Sequence, residues 1–554
     1  MTGIRGNTGI RELVAFRPLA IVFLTLCVAF CAGCKGDRGS RPEIGPGGYD
    51  VVVIGAGGGG LSSAARLALG GMKVLVIEQH DKVGGYMTAF ERGDYRFEVS
   101  LHAMDGLDPH GLNRRTFKQL GILDKVKPIR LDPAYTSVFP GITLDVPADP
   151  KEYLKVLQET FPEEAEGMGE LYATLERINT SMVLLKDLAE GESAGGVLWE
   201  FIRQPSLLWP LFKYWNSSAS EMLDDFVHDE RLIAFITQLA CFAGAEPDRV
   251  SGMFFAMMWN SYHFGGFAYF EGGSQAVSNA MAEVIRENGG EILLNNLVTK
   301  IVMEDGVAVA VRTKDGKEFK CRYVVSNANV PDTFNKLVGR EHFPEDYLKD
   351  VDGMEIGLSS LVVYLGVDHD YRDSFPKGVH SYFMNTSYDQ ALNFKYYYEG
   401  VPEKSTYGLI NYTLVDPSNA PEGKNVICLA TIMPYDFKGD WHESQGYDKY
   451  VALKEEAAMK LVKRSEQFLP GLSSHIEVME VGTPRTMERY SLNPRGTIFG
   501  WNNTPEQSMM NRLPQETPID NLYLAGAWTF PGGGQSAVLV SGLGAAAMIL
   551  DREK

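Results

Sequence analysis

The glycine-rich segment at residues 55–60 constrains the fold more than any other feature of this sequence. It follows a run of β-branched residues, 50–54, and precedes a stretch of small and aliphatic residues, 61–69. A second apolar run, 73–77, comes next and leads into Glu78. Continuous β-branched runs predict strands buried on both faces, and the stretch between them predicts a helix. This order predicts a strand–helix–strand unit that binds a dinucleotide in its first turn.

Each position of this unit has a physical role in holding a dinucleotide. Gly55 permits the tight turn, Gly57 lets the backbone approach a pyrophosphate, and Gly60 lets the helix pack on the strand. The helix N-terminus presents unpaired N–H groups and the positive end of its dipole to phosphate. Glu78 lies about 20 residues further on, where a carboxylate accepts from ribose hydroxyls. The predicted cofactor contacts of this unit are Gly55, Ala56, Gly57, Gly60, Glu78 and Gln79.

A second glycine pair, Gly84 and Gly85, follows the predicted ribose-binding acid. With Lys82 before it, this segment resembles the FAD-binding amine oxidase and phytoene desaturase superfamily, whose members carry a basic residue, any residue and Gly-Gly at this place. The resemblance implies that Lys82 and the glycine pair belong to the cofactor site, with glycine backbone against the flavin diphosphate. It also implies FAD rather than NAD. The arginine that usually follows the pair in this superfamily is Tyr86 here.

Two later segments resemble the same superfamily. Residues 291–325 predict a series of strands with hairpin turns at Asp305-Gly306 and Asp315-Gly316. Residues 521–535 lead into a predicted helix at 536–550. The resemblance places the first segment at the adenine and the second beside the isoalloxazine ring, where a helix N-terminus stabilises negative charge at N1 of reduced flavin. It adds to the predicted cofactor site Val298, Gly526, Gly533, Gly534 and Gln535.

Smaller motifs resemble one branch of this superfamily, the retinol saturases and carotenoid isomerases, over residues 49–554. They include His102 after the glycine pair, Gly272-Gly273-Ser274, and residues 495–500. The branch implies saturation, desaturation or isomerisation of a hydrophobic polyene or isoprenoid lipid, with hydride transfer at flavin N5. His102 is the predicted catalytic residue, because histidine moves protons near neutral pH. A structural histidine is the alternative, and His263 is a second candidate.

Two other functions stay open at this point. One is a flavin amine oxidase, which needs an aromatic pair facing the flavin. The other is a non-catalytic prenyl- or lipid-binding escort protein on the same fold, which uses no flavin. The presence of all three cofactor segments favours the FAD-dependent oxidoreductase. The sequence does not identify the electron donor or acceptor.

Composition narrows the possible partners. Hydrophobic residues make up 45% and charged residues 22%, as in an ordinary globular protein. The formal net charge of −19 repels phosphate backbones, so no nucleic-acid partner is predicted. The six cysteines show no metal-ligand spacing, and no metal site is predicted.

The N-terminal residues 1–33 predict an export signal, with Arg5, Arg11 and Arg17 ahead of an apolar run. The end of that run, Ala32-Gly33-Cys34, resembles a bacterial lipobox, which implies lipidation of Cys34. We therefore expect an exported lipoprotein, anchored to the membrane on the periplasmic or other extracytoplasmic face. An ordinary signal peptide or an uncleaved anchor is the alternative. Residues 34–48 predict a flexible linker.

The predicted fold is α/β. It has an FAD/NAD(P)-binding Rossmann-like domain with three layers (ββα) and an inserted α+β substrate domain. A chain of 554 residues exceeds one compact core. The aromatic stretch 198–215 predicts an apolar substrate entrance, a bilayer contact, or the core of a helical part. The predicted divisions are cofactor-binding parts at 49–150, 266–340 and 481–554, a helical substrate part at 151–265, and a substrate-domain sheet at 341–480.

Overall fold

The computed structural model describes residues 47–109, 111–189 and 194–554. The predicted signal segment 1–33, Cys34 and most of the predicted linker 34–48 lie outside the described residues, so export and lipidation stay predictions. Within the described ranges, no helix is both long enough and apolar enough to cross a membrane.

The regular elements alternate between strands and helices along the chain. The strands are β1 (Tyr49–Ile54), β2 (Val74–Ile77), β3 (Ala89–Arg92), β4 (Tyr95–Glu98), β5 (Met104–Asp105), β6 (Pro128–Arg130), β7 (Tyr135–Phe139), β8 (Ile142–Val146), β9 (Phe267–Phe270), β10 (Glu291–Leu293), β11 (Val298–Glu304), β12 (Val307–Thr313), β13 (Glu318–Ser326), β14 (Ser360–Val367), β15 (Ser381–Met384), β16 (Tyr407–Asn411), β17 (Asn425–Ile432), β18 (Ile476–Gly482) and β19 (Leu522–Leu524). The helices are α1 (Gly58–Leu69), α2 (Leu112–Gln119), α3 (Pro150–Thr160), α4 (Ala165–Ala189), α5 (Ala194–Arg203), α6 (Trp209–Tyr214), α7 (Ala219–Leu223), α8 (Glu230–Thr237), α9 (Gly252–Gly265), α10 (Gly273–Glu287), α11 (Val330–Asp332), α12 (Glu345–Asp352), α13 (Gln390–Glu399), α14 (Tyr447–Ser465), α15 (Pro484–Ser491) and α16 (Gln535–Glu553).

The first sheet has the order β10-β2-β1-β13-β12-β11, with β19 also beside β13. Strands β10, β2, β1, β13 and β19 pair in parallel, whereas β11, β12 and the first half of β13 form an antiparallel meander. Alternate residues of β1 point to opposite layers. Val51 and Val53 pack with α1, while Val52 and Ile54 pack with meander residues such as Val311. This meander–sheet–helix arrangement confirms the predicted three-layer fold.

The second sheet has the order β18-β14-β17-β16-β15-β7-β8. Alternation along β14 again separates two faces. Leu361 and Val363 pack with Leu461 of α14, while Val362 and Tyr364 belong to the cluster that borders the first domain. The face of the sheet that carries Val362 and Tyr364 is therefore turned toward the first domain.

The second sheet includes β7 and β8, which the sequence prediction placed in the cofactor-binding part at 49–150. The correction comes from β7, which pairs in parallel with β15 through Tyr382↔Thr136 and Met384↔Val138. Without β7, strand β15 would be an edge with unpaired N–H and C=O groups. Two strands from residues 49–150, β7 and β8, therefore complete the sheet of the substrate domain.

The aromatic stretch predicted at 198–215 divides into two sides. Phe201, Leu208 and Leu211 are buried in the helical part, whereas Leu198, Trp199, Ile202 and Trp209 are exposed. We call these four exposed residues the apolar patch. Both core packing and a solvent-facing apolar surface are therefore present in the same stretch.

Candidate cofactor and substrate site

One large cavity, of about 1640 Å³, runs between the two sheets. Its walls combine the glycine-rich turn after β1, the Gly84–Gly85 pair, the start of β11 and the loop before α16 with the second sheet and the helices α4 and α9. Sites for one drug-sized ligand have volumes of about 300–1,000 Å³. This cavity therefore has room for an elongated cofactor and a second molecule.

The turn after β1 forms one end of the cavity. Gly55 and Gly57 line it, and Gly57 provides no side-chain cap for the first turn of α1. Gly60 does not line the cavity. A Cβ there would collide with the carbonyl oxygen of Gly55. Its role is the close packing of helix on strand.

Glu78 lines the same end of the cavity and is 6% exposed. Its carboxylate accepts from the Ala56 N–H at 2.7 Å and from the His80 N–H at 2.9 Å. These contacts hold the carboxylate beside the glycine turn, where ribose hydroxyls are expected. Ala56 thus acts by positioning Glu78 and is not itself part of the cavity wall. Gln79 lines the cavity, with its amide donating to the Tyr490 carbonyl at 3.1 Å.

The second glycine pair lies against the first. The Gly84 N–H donates to the Ala56 carbonyl at 2.8 Å, and a Cβ on Gly85 would lie 3.1 Å from the Cα of Gly57. Gly85 also has a φ of +60°, which side-chain-bearing residues rarely adopt. Both glycines line the cavity, whereas Lys82 does not and donates instead to the Ala89 carbonyl at 3.0 Å.

Tyr86 lines the cavity at the position where the superfamily usually has arginine. Its hydroxyl lies 3.4 Å from both Ser491 Oγ and the Thr497 carbonyl oxygen, within hydrogen-bond distance of each. Burial raises the pKa of Tyr86 to about 12, so the hydroxyl is uncharged at neutral pH. Tyr86 therefore offers a neutral hydroxyl where an arginine would offer a positive charge.

The remaining predicted cofactor residues line the same cavity. Val298 lines it near Glu78, where the Asn296 N–H donates to the Glu78 carbonyl at 2.8 Å. Gly526 lies beside the start of α1, where a Cβ on Gly59 would lie 2.6 Å from the Gly526 backbone nitrogen. The lining there also includes Gly526, Gly533, Gly534 and Gln535.

The residues present fit a bound dinucleotide. Two helices, α1 and α16, begin at the cavity wall, and neither has a side-chain cap on its first turn. Gln535 donates through Nε2 to Ser100 Oγ at 3.1 Å, but its buried Oε1 has no hydrogen-bond partner among the described residues. Uncapped N–H groups and an unsatisfied amide oxygen are what a bound polar ligand would satisfy.

Comparison with known families identifies the dinucleotide that this cavity binds. The profile of the family described as flavin containing amine oxidoreductase matches residues 59–550. The chain belongs to this family. The resemblance drawn from the glycine motifs is thereby confirmed: the chain is an FAD-dependent oxidoreductase, and FAD is its cofactor.

Three relatives that are similar to this chain over most of its length are enzymes. The chain is 28% identical to the chloroplastic prolycopene isomerase of Arabidopsis thaliana, covering 91% of this chain and 83% of the relative. It is 28% identical to the neurosporene-forming phytoene desaturase of Rhodobacter capsulatus, covering 91% and 94%. It is 27% identical to the human all-trans-retinol 13,14-reductase, covering 86% and 82%.

Solved structures share the fold of this flavin-containing family. The PF1083 protein of Pyrococcus furiosus has a TM-score of 0.59 and 19% identity, covering 91% of this chain and 97% of that one. Cyclohexylamine oxidase of Brevibacterium oxydans has a TM-score of 0.57 and 16% identity, covering 91% and 99%.

The substrate half of the cavity is largely apolar. One wall is the inner face of the second sheet, and the other is formed by helices α4 and α9. The side chains that line these walls include Val362, Phe383, Ile410, Cys428, Ala430, Met182, Phe254, Met257, Met258 and Phe264. Flexible methionines and aromatic rings suit an irregular apolar ligand.

His102 lies in this half, within a group of aromatic rings. Its ring stacks on Phe242 at 5.3 Å, and Phe383 meets it edge-on at 5.7 Å. Burial, with a smaller contribution from His380, lowers the pKa of His102 to about 3. The imidazole is therefore uncharged at neutral pH and cannot act there as a cationic acid.

His263, the second histidine candidate, does not line the cavity. It is buried between Trp259 and Tyr153, at centroid distances of 4.1 and 5.0 Å. Neither ring nitrogen has a hydrogen-bond partner among the described residues, and burial lowers the pKa of His263 to about 3. His263 packs the core of the helical part.

Asp105 is a site residue that the sequence analysis missed. It lines the cavity, and its carboxyl group accepts from the hydroxyls of Ser261 and Ser536. Asn113 Nδ2 completes the network by donating to Ser536 Oγ at 2.6 Å. Burial raises the pKa of Asp105. The one signal in the sequence was an acidic residue directly after Met104, in a segment already assigned to the site.

Within the described residues, no group of three or more His, Cys, Asp or Glu side chains lies close enough together to hold a metal ion.

Proposed function

We propose that this FAD-dependent oxidoreductase acts on C–C or C=C bonds of a hydrophobic polyene or isoprenoid lipid, by saturation, desaturation or isomerisation. The observation that carries the proposal is the continuity of the cavity. It passes from the Gly526–Gln535 loop at the cofactor end directly into the apolar space between the second sheet and α9. A long apolar molecule placed there would lie beside the ring end of the cofactor.

The names of the relatives support the same class of substrate. They are a prolycopene isomerase, a phytoene desaturase and an all-trans-retinol 13,14-reductase. The three names cover isomerisation, desaturation and reduction, so they favour a reaction at an alkene without choosing its direction.

Bound FAD would supply hydride transfer at N5. The chain's own residues would hold the substrate, exclude water and handle the proton. The aromatic group at His102, Phe242 and Tyr262 offers parallel ring faces to a flat conjugated chain. Burial raises the pKa of the Asp105 carboxyl at the α16 end of the cavity, which makes this group the candidate to carry the proton.

The deciding experiment uses purified holoenzyme without oxygen. An absorbance spectrum with flavin bands separates an enzyme from a flavin-free escort protein. Photoreduced enzyme is then mixed with polyenes, and oxidised enzyme is mixed with amines. Reoxidation by a polyene, or isomerised polyene in the chromatogram, supports the proposal. Rapid flavin reduction by amines, with no change in any polyene, would assign an amine oxidase instead.

We also propose that substrate enters from a bilayer through the apolar patch. Helix α5, which carries Leu198, Trp199 and Ile202, packs on α4. Met182, Val183 and Leu185 of α4 line the cavity. Exposed tryptophans suit a membrane interface, and the acidic chain favours an apolar contact over an electrostatic one.

A lipid anchor would hold the patch near that bilayer. We propose export and lipidation at Cys34, supported by the lipobox-like Ala32-Gly33-Cys34. The Cys34→Ser variant should move from the membrane fraction to the soluble fraction. Unchanged fractionation, together with an unmodified Cys34 in a mass spectrum of the wild type, would contradict the anchor.

A further inference from the structure

Arg512 is a buried arginine that has no carboxylate partner among the described residues. Arg512 is only 3% exposed to solvent. Every acceptor of its guanidinium is an uncharged oxygen. These acceptors are the carbonyls of Trp501 and Asn502 and the Asn503 Oδ1 for Nη1, at 3.1, 3.1 and 2.9 Å, and the carbonyls of Phe499 and Ala527 for Nη2, at 3.4 and 2.6 Å.

A buried charge is costly unless an opposite charge compensates it. The oxygens around Arg512 accept from Nη1 and Nη2, whereas the buried Nε has no partner among the described residues, and none of these oxygens adds a net negative charge. Burial lowers the pKa of Arg512 to about 9, which still leaves the guanidinium protonated at neutral pH. The described residues therefore hold an uncompensated positive charge in a low-dielectric interior.

This charge lies directly behind the ring end of the cofactor cavity. A Cβ on Gly532 would lie 3.6 Å from Arg512 Cζ, and one on Gly533 would lie 2.6 Å from the Phe499 carbonyl oxygen. Phe499, Ala527 and Gly533 all line the cavity. A single layer of backbone thus separates the guanidinium from the cavity, at the point where α16 begins.

We propose that Arg512 is a positioning residue that stabilises the negative charge of reduced FAD. Two-electron reduction of bound FAD with uptake of one proton would add one negative charge to its ring system. That charge would face the N-terminus of α16 with Arg512 close behind it. The missing counter-charge of Arg512 is then the reduced cofactor itself, and the consequence is a more positive reduction potential.

The test measures the two-electron reduction potential of the holoenzyme by equilibration with reference dyes during reductive titration. Arg512→Gln should shift the potential to a more negative value, because it removes the charge. Arg512→Lys should stay near the wild type, because it keeps the charge. A tenfold loss of preference for reduced over oxidised FAD corresponds to about 30 mV. Arg322→Gln is the control, since Arg322 is paired with Asp50 and Glu553 and does not line the cavity.

A second variant keeps Arg512 and changes only its neighbour. Asn503→Asp would place a carboxylate at the Oδ1 position, 2.9 Å from Arg512 Nη1, and should also shift the potential to a more negative value. This variant decides the question if Arg512→Gln does not retain flavin. Unchanged potentials in the flavin-retaining variants, or an equal fall in Arg512→Gln and Arg512→Lys, would overturn the proposal. The measurement needs FAD but no polyene, so it stands apart from the substrate proposed above.

Discussion

At the scale of single residues, the two polar side chains of the substrate half differ in what burial does to them. Burial lowers the pKa of His102 and raises the pKa of Asp105, so both favour their uncharged forms. An uncharged imidazole with a pKa of about 3 is a weak base, and a protonated carboxyl is a proton donor. The proton of the proposed reaction is therefore better assigned to Asp105 than to His102.

His102→Phe tests the catalytic role predicted from the sequence. Phenylalanine keeps an aromatic face against Phe242 but cannot exchange a proton. Because His102 is uncharged and stacked, we expect kcat to stay within about tenfold of the wild type, measured with the polyene that reoxidises the enzyme. A fall of 10²- to 10⁴-fold, with the flavin spectrum intact, would instead establish proton transfer by His102.

Asp105→Asn tests the buried carboxyl through the pH dependence of stability. A carboxyl whose pKa is raised by folding stabilises the native state at low pH, and this contribution is lost as pH rises through its folded pKa. We expect the wild type to lose more stability than Asp105→Asn between pH 4 and pH 8, because only the wild type must ionise a buried carboxyl as the pH rises.

Urea unfolding of both proteins across that pH range measures the difference. Other buried carboxyls such as Glu98 occur in both proteins, so their contributions cancel in the comparison. Parallel stability curves would show that Asp105 does not titrate differently in the folded chain.

At the scale of elements, local patterns predicted the cofactor half well. The strands β1 and β2, the helix α1 and the strands β10 to β13 all lie where apolar runs and turns place them, because their signals are contained within a few residues. The pairing of β7 with β15 was not predictable in this way. The two strands lie far apart in the chain, and no turn or spacing records their contact.

The same distinction applies to the site. The glycine motifs identify positions where backbone must approach backbone, as Gly85 approaches Gly57. Lys82 matched its motif but points to the Ala89 carbonyl, because a long side chain can turn away from a site that its backbone borders. Asp105 and Arg512 escaped prediction because their roles depend on partners from distant segments.

The apolar patch on α5 and α6 is the element through which membrane contact can be tested. Trp199→Ser combined with Ile202→Ser should weaken association with uncharged liposomes by about tenfold or more, because each exposed side chain would bury apolar area in the bilayer. Turnover should fall for polyene embedded in liposomes and not for polyene in detergent. Tyr447→Ser is a matched control, since Tyr447 is exposed on α14 outside the patch. Equal liposome binding by all three proteins would contradict the proposed entrance.

At the scale of the whole molecule, FAD should act as a structural component. Its site draws on the turn at Gly57, the pair at Gly84–Gly85 and the loop at Gly526–Gln535, which come from opposite ends of the chain. A ligand that binds only the native state stabilises it by about 2.7 kcal/mol at a free concentration of 100 Kd. We therefore expect the melting temperature of the deflavinated protein to rise with added FAD, and not with riboflavin at equal concentration, because riboflavin lacks the diphosphate that the glycine turns are built to hold.

Gly85→Ala provides the variant for this experiment. Its added Cβ would lie 3.1 Å from the Gly57 Cα, at a φ of +60° that alanine rarely adopts, so the two turns would separate at the diphosphate. The FAD-dependent rise should shrink in this variant while cooperative unfolding persists. A melting temperature that does not depend on FAD in the wild type would show that the two sheets are held together by protein contacts alone. A rise that Gly85→Ala leaves unchanged would place the diphosphate away from the glycine pair.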